Sequence, residues 1–447
     1  MNLDLMLEDL AELVVCESFS ADHEAVARSA RVVADLGSRR LGAHPETIVI
    51  DGVTHLRWSF GTPRVLLVGH HDTVWPVGTL AEHPWSLVDG IARGPGVFDM
   101  KAGLVQAFHA LAALPSPDGV CVLVTGDEEV GSPTSRALIE ESARGCAAAF
   151  VLEASADGGA LKTARKGTSN YRVTVHGRAA HAGLEPEKGA NAAVELAHQI
   201  LALSSIAASV DGGPAPGRPG GLGPATVTPT VLSGGTTVNT VPALAGVEVD
   251  VRVPTVAAQE RVDELVRALV PRVPGTRLEV SGGPNRPPLE ETSSARLFEL
   301  ARRIAKDLGM GAVRGVAVGG ASDGNFTAGA GCPTLDGLGA VGGGAHAAHE
   351  HVVVAEMPGR ARLLAGLISA VLAGELAAPA AEAPAPGQTS VALGDGPAPS
   401  GDGSAPRRDG PAPQKDHSAP RRDDSTSQED HSAAREDHSA PSGRGGG

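Results

Sequence analysis

The sequence predicts an α/β fold, with a parallel-rich sheet flanked by helices, an inserted α+β open-faced sandwich and a disordered C-terminal tail. Three observations carry the prediction. Short apolar runs at 65–68, 120–125 and 148–152 each stop in a polar cluster and are separated by helical periodicity, the mark of parallel strands with crossover helices. Beyond about residue 166 the pattern changes to period two, as in Tyr171-Arg-Val-Thr-Val-His176, and the elements run β-α-β-β-α-β. From about residue 376 the composition collapses to Ala, Pro, Gly, Ser, Asp and Arg, which cannot bury enough apolar area to offset the entropy of ordering. The division that results is 1–165 and 287–375 for the main sheet, 166–286 for the insertion and 376–447 for the tail.

Apolar positions at helical spacing (Leu3, Met6, Leu7, Leu10, Leu13, Val14) predict a helix over 3–16. A second covers 21–36, with Ser20 as its N-cap. Strands follow at 46–50, 55–60 and 65–68, the last too short for a helix and bounded by Pro63 and Gly69. A Gly-rich turn over 94–104 leads into a helix reaching about Leu114, and a helix at 134–144 joins the strands at 120–125 and 148–152. In the insertion, the 171–176 strand is followed by a helix at 189–205, a Gly/Pro-rich loop at 211–224, strands at 226–233 and 246–253, a helix at 255–270 and a strand at 276–281. After Pro287-Pro288 a helix at 293–308, a strand at 333–338 and a helix at 355–374 complete the main layer. In the tail Asp-His-Ser-Ala recurs at 416–419, 430–433 and 437–440, and these scattered His are not expected to form a metal site.

The chain has 447 residues, 42% hydrophobic but only 2% aromatic, so the core is expected to be mostly Ala, Val and Leu. A net charge of −15 argues against a nucleic-acid or anionic-membrane surface as the main business. Four cysteines without a CxxC (Cys16, Cys121, Cys146, Cys332) point to buried thiols in a reducing compartment, and a cytoplasmic location is expected. The acidic N-terminus has no basic n-region, and no run of about 18 apolar residues predicts a membrane span.

Chemistry gathers where the strands end. Side chains at i and i+2 on a strand share a face, so His70 and Asp72 converge at one tip while His71 points away. A metal-binding His usually donates its other ring N–H to an oxygen acceptor, which such a pair supplies. The second tip carries Glu128 and Glu129, the third Glu153, the Gly-rich turn Asp99, and the stretch Gly342-Gly-Gly-Ala-His346-Ala-Ala-His-Glu350-His three more His. Carboxylates and imidazoles gathered at one sheet edge call for cations, and two divalent ions balance them. Mixed His and carboxylate ligands suit zinc.

Gly-His-His-Asp-Thr-Val at 69–74, Gly-Pro-Gly-Val-Phe-Asp-Met-Lys-Ala-Gly at 94–103, Gly-Asp-Glu-Glu-Val-Gly at 126–131, Gly-Arg-Ala-Ala-His-Ala-Gly at 177–183 and Gly-Ala-His at 344–346 are specific in this order. Through them the chain, from about residue 5 to 374, resembles the di-zinc metallopeptidase family that includes acetylornithine deacetylase, succinyl-diaminopimelate desuccinylase and bacterial glutamate carboxypeptidase. The resemblance implies two Zn²⁺, with Co²⁺ a possible substitute. It implies that Asp99 bridges them, that His70 and Glu153 complete one site and Glu129 and His346 the other, and that Asp72 orients His70. It makes Glu128 the general base and implies a cis peptide after Asp99. The insertion matches the family's lid and dimerisation domain, where His181 reaches the partner subunit's site in a homodimer that pairs through the 170–205 segment. Asn239, Arg252 and the Gly319-Gly320 loop match positions that bind the substrate's terminal carboxylate. His71, His349 and His351 lie off the motif positions and are expected beside the site or on the surface, and His176 and His198 on the surface. The implied activity is hydrolysis of an amide bond next to a free C-terminal carboxylate in a small peptide or N-acyl amino acid. The alternative is an N-acyl amino acid deacylase of the acetylornithine deacetylase type. Family aminopeptidases tend to carry Asp where Glu153 stands, and a non-catalytic relative would be expected to lack Glu128.

Overall fold

The computed structural model describes residues 1–210 and 221–376. The expected tail, apart from Leu376, and most of the 211–224 loop lie outside the described residues. Helix α1 (Leu3–Val15) is capped by Asn2, whose side chain accepts from the Asp4 and Leu5 amides, and α2 (His23–Leu41) by Asp22, which accepts from the Ala25 amide. Ser20, expected as the second cap, instead donates its hydroxyl to the buried Asp72 carboxylate at 2.7 Å, the stronger acceptor because it is charged.

There follow β1 (Glu46–Ile50), β2 (Val53–Ser59), β3 (Val65–His70), β4 (Ser86–Val88), β5 (Ile91–Arg93), α3 (Ala102–Ala112), β6 (Val120–Thr125), α4 (Arg136–Ala143), β7 (Ala148–Val151) and β8 (Leu161–Arg165). The next stretch holds β9 (Gly167–His176), α5 (Ala192–Ile206), β10 (Thr226–Gly234), β11 (Leu244–Val253), α6 (Val256–Arg267) and β12 (Arg277–Arg286). The chain returns through α7 (Glu291–Asp307), β13 (Gly315–Val318), α8 (Gly324–Gly329), β14 (Thr334–Leu335), β15 (Gly342–Gly343), β16 (His351–Val353) and α9 (Met357–Leu372).

The main sheet has the order β1-β2-β6-β3-β7-β14. Its centre, β6-β3-β7-β14, is parallel, and β1 and β2 add an antiparallel hairpin at one edge. The strand expected at 333–338 shrinks to Thr334–Leu335, because Asp336 turns aside to bind Arg165 at 2.7 Å and Gly337 takes φ 76°. Helix α3 lies almost wholly buried between this sheet and α9. At Gly103 a Cβ would meet the Leu152 carbonyl oxygen at 2.1 Å, so only glycine lets α3 start this close to the exit of β7. The core is aliphatic as expected, with Trp58 and Phe108 meeting edge to face at 5.4 Å.

The second sheet, β10-β11-β9-β12, is antiparallel throughout and carries its own core under α5 and α6, including Tyr171, Val173, Val175, Val247, Val249 and Val251. Its order β-α-β-β-α-β is the one expected. Short strands β4, β5, β8, β13, β15 and β16 escaped the sequence reading because each spans only two to five residues, too few for periodicity to show.

Candidate metal centre and active site

Neighbouring parallel strands β6, β3 and β7 open on the same sheet edge, where α/β sheets bind ligands. His70 is the last residue of β3, Glu128 and Glu129 follow β6 in a short turn, and Glu153 stands just past β7. The Asp127 carboxylate fixes the Glu128 turn by accepting from the amides and hydroxyls of Thr134 and Ser135. Asp99 comes from the turn before α3, where Gly96 has φ 71° and the Asp99–Met100 peptide is cis, as the resemblance implied. His346 comes from the loop between β15 and β16 and has φ 60°.

These five side chains meet. His70 Nε2 lies 3.4 Å from Asp99 Oδ1 and 3.6 Å from Glu153 Oε1. His346 Nε2 lies 3.4 Å from Asp99 Oδ2 and 3.1 Å from Glu129 Oε2. Asp99 thus turns one oxygen to each imidazole, the placement of a bridging ligand. Most of these separations exceed an ordinary hydrogen bond. They match the ligand–ligand edges, about 3.3–3.6 Å, of a tetrahedral ion with bonds of about 2.0–2.2 Å. His70 Nε2, Asp99 Oδ1 and Glu129 Oε1 are also buried without a hydrogen-bond partner, which an ion at each end of Asp99 would satisfy. The residues present fit a two-ion centre.

Glu128 shares this space, with a carboxylate oxygen within 4.8 Å of ligand atoms of His70 and Glu153. Asp72 holds the site together more broadly than expected. Its carbonyl accepts from His70 Nδ1 at 3.0 Å, and its buried carboxylate accepts the amides of Glu128 and Glu129, each at 3.2 Å. One side chain therefore fixes an imidazole and the turn that carries two glutamates. His71 is not on the surface. It is buried, with Nε2 at 3.1 Å from the Thr54 carbonyl, and burial pulls it down to about 4, so it stays neutral.

Electrostatics favour a cation. Burial pulls His70 down, but the carboxylates of Asp72, Asp99 and Glu153 outweigh it and push the imidazole well above its ordinary range. Asp99 and Glu129 push His346 up to about 10. Burial raises Asp99, and His346 and His70 overcome this to hold its carboxyl far below normal. Protons on the imidazoles are what the carboxylates pair with, and a divalent ion would displace them. Burial pushes Glu128 well above the carboxylate range, opposed by the Arg286 guanidinium.

Several residues at the site were not singled out from sequence. Arg286, the last residue of β12, reaches Glu128 Oε1 at 3.0 Å, Asp323 Oδ1 at 3.2 Å and the Ser132 hydroxyl at 2.7 Å. Arg165 lies 3.6 Å from Glu153 and forks Asp336. Lys162 lies 3.8 Å from Glu153, its ammonium makes no hydrogen bond among the described residues, and burial and Arg165 lower it. β8 is too short for periodicity to show, and Arg286 lies beyond the strand expected at 276–281, so no local pattern singled these residues out.

Among the described residues, no hydrogen bond or ion pair joins the remaining expected residues to the five clustered side chains. His181 and Asn239 are exposed on adjoining loops, joined by the Ala182 amide donating to the Asn239 carbonyl at 2.9 Å. Arg252 forks Asp250, its neighbour two residues back on the same face of β11. Gly319 and Gly320 follow β13, and Gly320 is engaged through its carbonyl, which accepts from Arg165 at 2.9 Å. His349 is exposed, His351 half-buried, and His176 pairs with Glu279 at 3.0 Å on the insertion's outer surface.

Residues 66–370, more than half of the chain, match peptidase family M20/M25/M40. The chain belongs to this family. As an M20 protein it is similar to carboxypeptidase G2 of Pseudomonas sp. strain RS-16, 28% identical over 391 residues that cover 83% of this chain and 90% of that protein. It is also similar to succinyl-diaminopimelate desuccinylase of Caulobacter vibrioides, 30% identical over 203 residues, 42% of this chain and half the length of that relative. Among solved structures it shares its fold with an M20 metallo-carboxypeptidase of Sulfolobus solfataricus at TM-score 0.63, with 16% identity, 81% of this chain and 98% of that one. A dinuclear metal-binding M20 peptidase of Bacillus subtilis matches at TM-score 0.55, with 14% identity, 83% of this chain and 98% of that one. The protein is an M20 metallo-hydrolase.

Proposed function

We propose that this M20 enzyme is a di-zinc hydrolase that cleaves the amide bond next to a free C-terminal carboxylate, in the manner of a glutamate carboxypeptidase. The observation that carries this reading is the Asp99 carboxylate poised between two His-carboxylate sets, with Glu128 beside them. His70 and Glu153 would hold one ion and Glu129 and His346 the other. The His and carboxylate donors suit zinc, with Co²⁺ a substitute. Bound ions would polarise the scissile carbonyl and lower the pKa of water. Glu128 takes the proton of the attacking water and returns it to the leaving amine. Burial, which raises this carboxyl, favours the second half of that task, and the ions' positive charge favours the first.

The substrate carboxylate enters on the side of Lys162, whose half-buried ammonium lies 3.8 Å from Glu153. Asn239 and Arg252 come to the substrate when the second sheet closes over the site, while the Gly319-Gly320 loop, which follows β13, meets it from the main layer. The Arg252 guanidinium then exchanges Asp250 for substrate. His181 is supplied by the second subunit of a homodimer.

Support for a second reading, an N-acyl amino acid deacylase, comes from the similarity to desuccinylase. A hydrolysis screen of dipeptides and N-acyl amino acids on zinc-loaded protein tests both. Cleavage that is lost when the C-terminal carboxylate is amidated is expected. Equal cleavage of the amidated compounds would sink both readings, and a strong preference for succinyl over aminoacyl groups would select the second.

A further inference from the structure

Glu350 is 3% exposed and lies behind the two loops that carry Asp99 and His346. Its carboxylate accepts four hydrogen bonds from N–H donors. Oε1 takes the amides of Phe98 at 2.8 Å and Asp99 at 3.0 Å, and Oε2 takes the Gly96 amide at 3.0 Å and Trp75 Nε1 at 2.8 Å. Glu350 itself sits four residues beyond His346, and its own amide donates to the Ala347 carbonyl at 2.8 Å, closing the turn that directly follows the one holding His346, which the Ala347 amide closes on the Gly344 carbonyl at 2.9 Å. The next residue, His351, pairs with Arg93 in β5. One buried carboxylate therefore spans from the His346 loop to the backbone of the Asp99 turn.

We propose that Glu350 is a positioning residue that couples these two loops, and that it secures the ion shared by Asp99, Glu129 and His346 more than the ion shared by Asp99, His70 and Glu153. The inference rests on the metal-centre reading above. The asymmetry follows from what else holds each ligand. His70 ends a strand paired on both sides, and its ring is fixed by the Asp72 carbonyl. Glu153 stands against Lys162 and Arg165. His346 has none of this support. Its side chain is 51% exposed, its backbone is left-handed, and its loop is tied down by the turn and by Glu350. Charged hydrogen bonds of this kind are the stronger ones. Replacing the carboxylate by an amide turns an NH₂ group toward two of the four donors, so the turn and the loop lose their common anchor.

The test is a Zn²⁺ titration of metal-stripped, full-length protein against a chromophoric chelator, for wild type and Glu350→Gln, with thermal unfolding of each to establish the fold. Two sites per chain are expected in wild type. In Glu350→Gln one site should keep its affinity while the other weakens about 10–100-fold, as loss of a supporting partner does. Two unchanged sites, or equal weakening of both in a folded variant, would overturn the proposal. Trp75→Phe removes one donor and leaves the carboxylate, so the same site should weaken by a smaller factor. No change there in either site also overturns it, and this variant carries the test if Glu350→Gln does not fold. A wild type that binds fewer than two ions would instead bring down the metal-centre reading beneath the proposal.

Discussion

Glu128 and Glu129 are adjacent in sequence and do different work. Glu129 faces His346 at 3.1 Å, while Glu128 faces Arg286 at 3.0 Å and stays off the imidazole. Glu128→Gln should therefore keep the metal content of wild type and lose about 10²–10⁴-fold in kcat, the usual contribution of a general base. Metal analysis beside steady-state kinetics checks this, and wild-type turnover in the variant would remove Glu128 from its role. The stretches that carry the five clustered side chains were legible because each follows a strand end or a Gly-rich turn, and the family resemblance then singled out Glu129 and His346 from their neighbours. Arg286, Asp323 and Glu350 were not legible. Arg286 bonds to the Glu128 carbonyl across 158 residues, and no local pattern announces so distant a partner.

Elements hold the site through contacts that periodicity does not display. The buried Asp9 of α1 accepts from Arg40 of α2 at 2.7 and 2.8 Å and from His109 of α3 at 2.7 Å, tying three helices together. Burial raises the Asp9 carboxyl, and the hydrogen bonds from His109 and Arg40 outweigh it and hold it below its ordinary value of 3.8. A depressed carboxyl contributes stability that is fully present above its unfolded pKa and is lost as pH falls through the folded one. Asp9→Asn should cost on the order of 1.5–3 kcal/mol near neutral pH, the range for hydrogen bonds to a charged group. The gap to wild type should close in the acid range below the unfolded value. Urea unfolding at a series of pH values measures it, and a gap that widens on acidification would refute the assignment. The long helices were readable because their apolar stripes repeat over several turns. Their junctions were not, since Asp9, Arg40 and His109 look in sequence like ordinary polar positions.

At the scale of the whole molecule, we propose that the active site is completed across a homodimer. His181 is exposed on the insertion, its Nδ1 accepts only from the nearby Gly183 amide at 3.2 Å, and no hydrogen bond or ion pair among the described residues joins it to the metal cluster. A second copy supplies the missing donor if the insertions pair about a two-fold axis. The expectation from sequence placed that pairing on 170–205, and sheet order leaves its helix α5 available but moves the strand to β10, outside that segment. β9 is bonded to β11 on one side and β12 on the other, so it has no free edge to offer. The open edge beside α5 is β10, and the two present Val194, Leu201, Val231 and Leu232 to solvent. The stretch Ala192–Ser209 is apolar, yet only one third of it is buried. Covering it with a second copy would account for that apolarity, since large exposed apolar surfaces mark contact sites. The test is complementation between His181→Ala and Glu128→Gln, each expected to be inactive or nearly so. Loss of a donor aimed at the developing oxyanion costs about 2.7–4 kcal/mol. Random exchange makes half of the dimers hybrid, and in each hybrid one of two sites joins an intact His181 to an intact Glu128, so about a quarter of wild-type activity should return. A charge introduced at Leu201 should abolish both the dimer and this recovery. Verified hybrids without recovered activity, or a fully active wild-type monomer, would show that each chain completes its own site.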